Sequence, residues 1–192
     1  MNAFLRGAAL AATILGALAA SALAADKPIG DKPAADKAAA DKAGTTVAAT
    51  ADGKAGGTLT VNGKTTKPAY AYAKAVPGFF DKTKTDVELI VSDVALDAKA
   101  LSDPFVRAAM AKDGKLHAFE IVINDEGTPI STAWRDGGFK GPTPSGLSTA
   151  DVFTKKVFDG KTVEGSYKSA APGEFFDNTY AFDVTFRAVI AH

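Results

Sequence analysis

The 192-residue chain has no cysteine. That absence excludes disulfide staples, thiolate metal sites, a cysteine nucleophile and a thioether-linked lipid. Histidine is scarce as well, with His117 and His192 the two imidazoles. Two distant histidines do not make a transition-metal site, and Asn124-Asp125-Glu126-Gly127 supplies only some of the oxygens a calcium loop needs. The chain therefore reads as holding no metal and no cofactor. An excess of charge of one sign is also missing, because Lys+Arg and Asp+Glu both number 22. Such a balance offers nucleic acid or an anionic membrane surface no electrostatic attraction. No run beyond the N-terminus is long and apolar enough to span a bilayer, so the mature protein is expected to have no transmembrane span.

The N-terminus reads as a secretory leader over residues 1–24. Arg6 is its one charge, residues 8–20 are apolar, and Ala22-Leu23-Ala24 is a small-x-small cleavage signal that places the cut after Ala24. The protein is thus expected in the periplasm or outside the cell. Removing Arg6 with the leader brings the net charge to about −1. Residues 25–56 change character, with Asp-Lys recurring at 26–27, 31–32, 36–37 and 41–42 among alanines and no aromatic residue. Too little apolar surface is available there to offset chain entropy, so the segment reads as a disordered, low-complexity linker spanning on the order of 30 Å.

The folded domain is expected over 57–192. Asn62-Gly63 between Thr58–Val61 and Thr65–Val76 signals a type I′ hairpin, and Pro68 marks an edge or a bulge in the second strand. Strands are expected at 86–92, 116–124, 129–135, 152–158, 162–169 and 179–190. The last alternates most strictly: Tyr180, Phe182, Val184, Phe186, Ala188 and Ile190 share one face. Asp103 as N-cap, Pro104 at the first position and Gly114 past the end frame one short helix, with Phe105, Val106, Ala109 and Met110 as its apolar stripe. About eight short strands and one short helix predict a mainly β fold, an antiparallel sandwich or barrel, with an α+β roll as the alternative.

One unit recurs. Val76-Pro77-Gly78-Phe79-Phe80-Asp81 returns as Ala171-Pro172-Gly173-Glu174-Phe175-Phe176-Asp177, each after a Gly-Lys-Thr and a tyrosine, Tyr72 or Tyr167. The pattern predicts two long hairpins of similar design, left open between internal repeat and convergence. In each, glycine would supply a left-handed position and the paired phenylalanines would anchor the turn on the core.

Catalytic signals are weak. His117 lies on an apolar strand face, no Gly-x-Ser-x-Gly is present, and carboxylates such as Glu120, Glu164 and Asp183 occur on any wet sheet face. No catalytic residue is assigned. For binding, Trp134-Arg135-Asp136 leads into the Gly- and Pro-rich stretch 137–149, where a Trp beside an Arg is a recognition pair unless the Trp is core. His117, Tyr70 and Tyr72 complete the candidate binding residues.

The stretches Gly57-Thr58-Leu59-Thr60-Val61-Asn62-Gly63-Lys64, Phe79-Phe80-Asp81 and Val91-Ser92-Asp93-Val94 give the chain a family likeness. Over about residues 57–190 it resembles an uncharacterised family of secreted bacterial β-domain proteins. The resemblance implies export and domain extent, and brings no activity, ligand or catalytic residue with it. The function expected is a non-catalytic exported domain that binds an envelope protein or other envelope component, a peptide or a small ligand. A hydrolase using His117 and a strand-pairing module at Pro68 are the alternatives.

Overall fold

The structure is a computed structural model and describes residues 53–147 and 151–192. The expected leader over residues 1–24, most of the Asp-Lys-Ala stretch and residues 148–150 lie outside the described residues. The elements are β1 (Lys54–Val61), β2 (Lys64–Thr66), β3 (Tyr70–Pro77), β4 (Thr85–Ser92), α1 (Ala98–Ser102), α2 (Pro104–Lys112), β5 (His117–Ile123), β6 (Pro129–Asp136), β7 (Val152–Phe158), β8 (Thr162–Lys168), β9 (Gly173–Phe175) and β10 (Asn178–Ala191). The first strand opens at Lys54, ahead of the expected start at Gly57.

The fold is mainly β. Eight strands form one curled antiparallel sheet, a half-barrel, in the order β6-β5-β4-β3-β1-β10-β8-β7, with β2 beside β1 and β9 beside β10. Two short helices pack on it rather than one. The β1–β2 turn is the type I′ hairpin expected, with φ of 50° at Asn62 and 78° at Gly63. Pro68 is buried in the break between β2 and β3, where the chain leaves β1 and joins β4, so the long edges of the sheet are β6 and β7. β3 touches β1 only at Tyr70 and Lys54; past that point it meets β10 directly, in parallel, at Ala73↔Ile190.

Alternation sorts the side chains into two layers. The concave face holds Val87, Leu89 and Val91 of β4, Phe119, Ile121 and Ile123 of β5, Trp134 of β6, and Phe182, Val184, Phe186, Ala188 and Ile190 of β10. Phe119 is its hub, with ring centroids 4.5 Å from Phe182, 5.1 Å from Trp134 and 6.1 Å from Tyr167. Aromatic pairs at such distances add about 0.5–1.5 kcal/mol each beyond their buried area. The convex face carries the helices over Tyr72, Ile90, Leu116 and Ala118.

The caps of α2 match expectation. The Asp103 carboxylate accepts from Phe105 N, and Gly114 (φ 69°) closes a Schellman turn in which Gly114 N donates to Ala111 O and Lys115 N to Met110 O. Only half of the expected apolar stripe meets the sheet, Val106 and Met110 packing half-buried against it. Phe105 is 83 % exposed and Ala109 is exposed, whereas Arg107 and Ala111 are buried. A charge can occupy that place because the sheet below presents carboxylates to it, as described below.

The two Pro-Gly turns also depart from expectation. Phe79, Phe80 and Phe176 are 61 %, 80 % and 74 % exposed, so the phenylalanine pairs do not anchor their turns on the core. Each pair instead stacks edge-on with itself, at 5.0 and 4.8 Å. Neither Gly78 nor Gly173 has a positive φ. Both are needed for close approach: a Cβ on Gly78 would lie 2.2 Å from Asp81 O, and one on Gly173 2.5 Å from the Tyr180 ring. One turn follows β3 and the other precedes β10, strands that run parallel, so the two lie at opposite ends of the sheet. Tyr72 and Tyr167 fall on opposite faces, which separates the repeat's two copies in role.

Burial among aromatic rings pushes the Tyr167 phenol up to about 12, with the nearby Asp151 charge adding to the effect. The folded state therefore keeps its proton at pH values where the unfolded chain has lost it. Stability carried by this group is whole below pH 10 and falls as pH rises toward 12. Urea unfolding of wild type and Tyr167→Phe at pH 9 and pH 11.5 checks this: the variant should lose distinctly less stability between the two, and equal losses would refute it.

Candidate functional site

The β5–β6 ladder pairs Phe119 with Trp134 and, one inward step further, His117 with Asp136. The inward stripe thus changes from aromatic to ionisable as it leaves the core at one end of the half-barrel. Two contacts hold the His117 backbone: its N–H donates to Asp93 Oδ1 at 2.8 Å, and its carbonyl accepts from Asp93 N at 3.1 Å. The ring lies with Nδ1 at 2.9 Å from Asp136 Oδ2, side chains 15 % and 6 % exposed. The distance is that of an ion pair, but the angle is not that of a hydrogen bond, and the buried Nδ1 has no hydrogen-bond partner. Hydrogen bonds weaken steeply off line, so the contact is one of charge and not of hydrogen bonding. The other Asp136 oxygen accepts from Gly138 N at 2.7 Å.

His117 and Asp136 line a cleft of about 330 Å³ with Asn62, Lys64, Thr66 and Lys112. A second hollow of about 260 Å³ adjoins it at Lys112, Asp136 and Gly137 and reaches Trp134 and Phe139. The floor is held by two asparagines. Asn62 Oδ1 accepts from Thr179 N, while its Nδ2 donates to Gly138 O and Asn178 Oδ1. Asn178 Oδ1 also accepts from Lys140 N, and its Nδ2 donates to Lys140 O and Phe175 O. The β1–β2 turn, the β9–β10 turn and the chain after β6 are thereby tied together. Gly137 fits against the end of α2 because a Cβ there would stand 2.3 Å from Ala111 O.

Of the six candidate binding residues, the structure brings only His117 and Asp136 together in this way. Trp134 is 2 % exposed and belongs to the aromatic core. Arg135 points to the convex face and grips Glu120 with both arms, at 2.9 and 2.8 Å. Tyr70 and Tyr72 lie beneath the helices, where the Tyr72 hydroxyl accepts from Leu96 N. Lys64, Lys112 and Asn178 escaped sequence reasoning. The lysines carry no motif, and Asn178 gains its role from chain 38 and 116 residues away in sequence.

A second polar cluster is structural. Arg107 of α2 is 1 % exposed and donates to Glu120 at 2.6 Å, Glu88 at 2.7 Å, and the Ala100 and Leu101 carbonyls. Lys74 bonds Glu88 at 2.6 Å, and Arg135 completes the group on Glu120. The charges alternate and the guanidinium is well satisfied, leaving little for a ligand to do. Among the described residues no three His, Asp or Glu side chains converge as a metal site would require. No protein-family model, curated protein or solved structure matches the chain.

Truncating Arg107 takes a cation from buried Glu120 and half-buried Glu88, leaves them to Arg135 and Lys74, and opens a cavity under the helix. Arg107→Ala should cost about 3–5 kcal/mol in urea unfolding. A loss below about 1 kcal/mol would mean that the cluster behaves as a set of surface pairs.

Proposed function

We propose that the chain is an exported, non-catalytic binding domain whose site is the His117–Asp136 cleft, with a small ligand as its occupant. The observation that carries this is the buried Nδ1 of His117, which forms no hydrogen bond although its ring lines a concavity. Leaving a buried polar group unsatisfied costs about 1–3 kcal/mol, and such costs gather where a fold serves a ligand rather than its own stability. The cleft is at the lower end of the roughly 300–1,000 Å³ range of small-molecule sites, which favours a small ligand over a polymer segment or a protein. Export is supported by the leader-like residues 1–24.

A hydrolase is the second reading, favoured by the Asp–His juxtaposition, since an oriented imidazole is half of a base–nucleophile pair. The nucleophile is what it lacks: Thr66 is the one hydroxyl among the described residues lining the cleft.

Thermal unfolding against a chemically varied set of small molecules separates the two. Binding raises Tm by mass action, by about 2.7 kcal/mol at 100 times Kd. The expected result is a compound that stabilises wild type, leaves His117→Ala unmoved and is recovered unchanged. Stabilisation that persists in His117→Ala would move the site elsewhere. Turnover of the compound, lost in His117→Ala, would establish the hydrolase instead.

A further inference from the structure

We propose that this cleft selects an oxyanion, a carboxylate or phosphate group carried by a small ligand; the inference rests on the binding reading above. It follows from counting which polar groups around the cleft are already engaged. Two of the three side-chain acceptor oxygens of Asp136 and Asn62 are taken. Asp136 spends one oxygen on Gly138 N and sets the other against His117. Asn62 uses its oxygen on Thr179 N and both amide hydrogens on Gly138 O and Asn178 Oδ1. What remains is cationic or able to donate. Lys64 and Lys112 line the cleft, and neither ammonium lies within ion-pair distance of a carboxylate among the described residues. His117 Nε2 has no protein partner among the described residues, and with Nδ1 buried it is the nitrogen left to meet a ligand. With two unpaired ammoniums against one carboxylate, and an imidazole beside them, the site is complementary to negative charge.

The test follows the backbone amides of Gly114, Gly137 and Gly138 by NMR in the full chain, titrated at constant ionic strength with succinate, inorganic phosphate and neutral succinamide. Saturable shifts are expected with succinate or phosphate and not with succinamide, and the tighter of the two anions tells carboxylate from phosphate. Lys64→Met with Lys112→Met should weaken that binding by about tenfold or more, while Lys156→Met on β7 leaves it unchanged. Succinamide shifting the same amides as strongly as succinate would overturn the oxyanion inference and leave the cleft as a binding site. Absence of saturable shifts with either anion would overturn it too, and the His117→Ala thermal comparison would then decide the binding reading by itself.

Discussion

Burial of the inward stripe of β10 is the requirement on which the rest of the structure depends. Fourteen residues long, this strand pairs with β1 and β8 along most of its length and with β9 and β3 at its ends. Its even positions from Phe182 to Ile190 cannot be covered by a flat sheet. The sheet curls, and β4, β5 and β6 bring Leu89, Phe119 and Trp134 over them from the far side. Without a cysteine to form a disulfide, this concave aromatic and aliphatic core is the dominant source of stability.

The two faces of the sheet solve opposite problems. The concave face is apolar until its rim, where His117 and Asp136 take over. The convex face carries charge in its middle: Lys74, Glu88, Glu120 and Arg135 project from four adjacent strands, and Arg107 enters from the helix to join them. Desolvating such groups is costly unless each is paired and hydrogen-bonded, and here each is. The rim pair is the exception, with a close contact that leaves a buried ring nitrogen unsatisfied. The contrast between a satisfied interior cluster and an unsatisfied pair lining a cleft is what separates a structural network from a candidate site.

Periodicity made most of the strand pattern legible. The alternation of β10, the Asn-Gly turn and the caps of α2 are local physics: side chains alternate at a period of two, φ is positive at both turn residues, and a carboxylate meets free N–H groups. The short β9 left no trace, because three residues cannot show a period. The helix's inward face was legible only at Val106 and Met110, because apolar residues are ordinarily the inward ones, and only the partners on β4 and β5 make Arg107 cheaper to bury than Phe105. The paired phenylalanines were misread for the same reason, since a residue's apolar character does not say whether a neighbour exists to cover it.

The sequence by itself determined the class of fold, the strands and their inward faces, the helix ends and the absence of thiol chemistry, all properties set within a few residues by backbone geometry and composition. Tertiary structure alone decided that the sheet curls into a half-barrel, that Trp134 is core, and that His117 meets Asp136 beside Lys64 and Lys112 at one end. Those contacts join residues from β1–β2, α2, β5 and β6, and no local spacing encodes which strands become neighbours across a curled sheet.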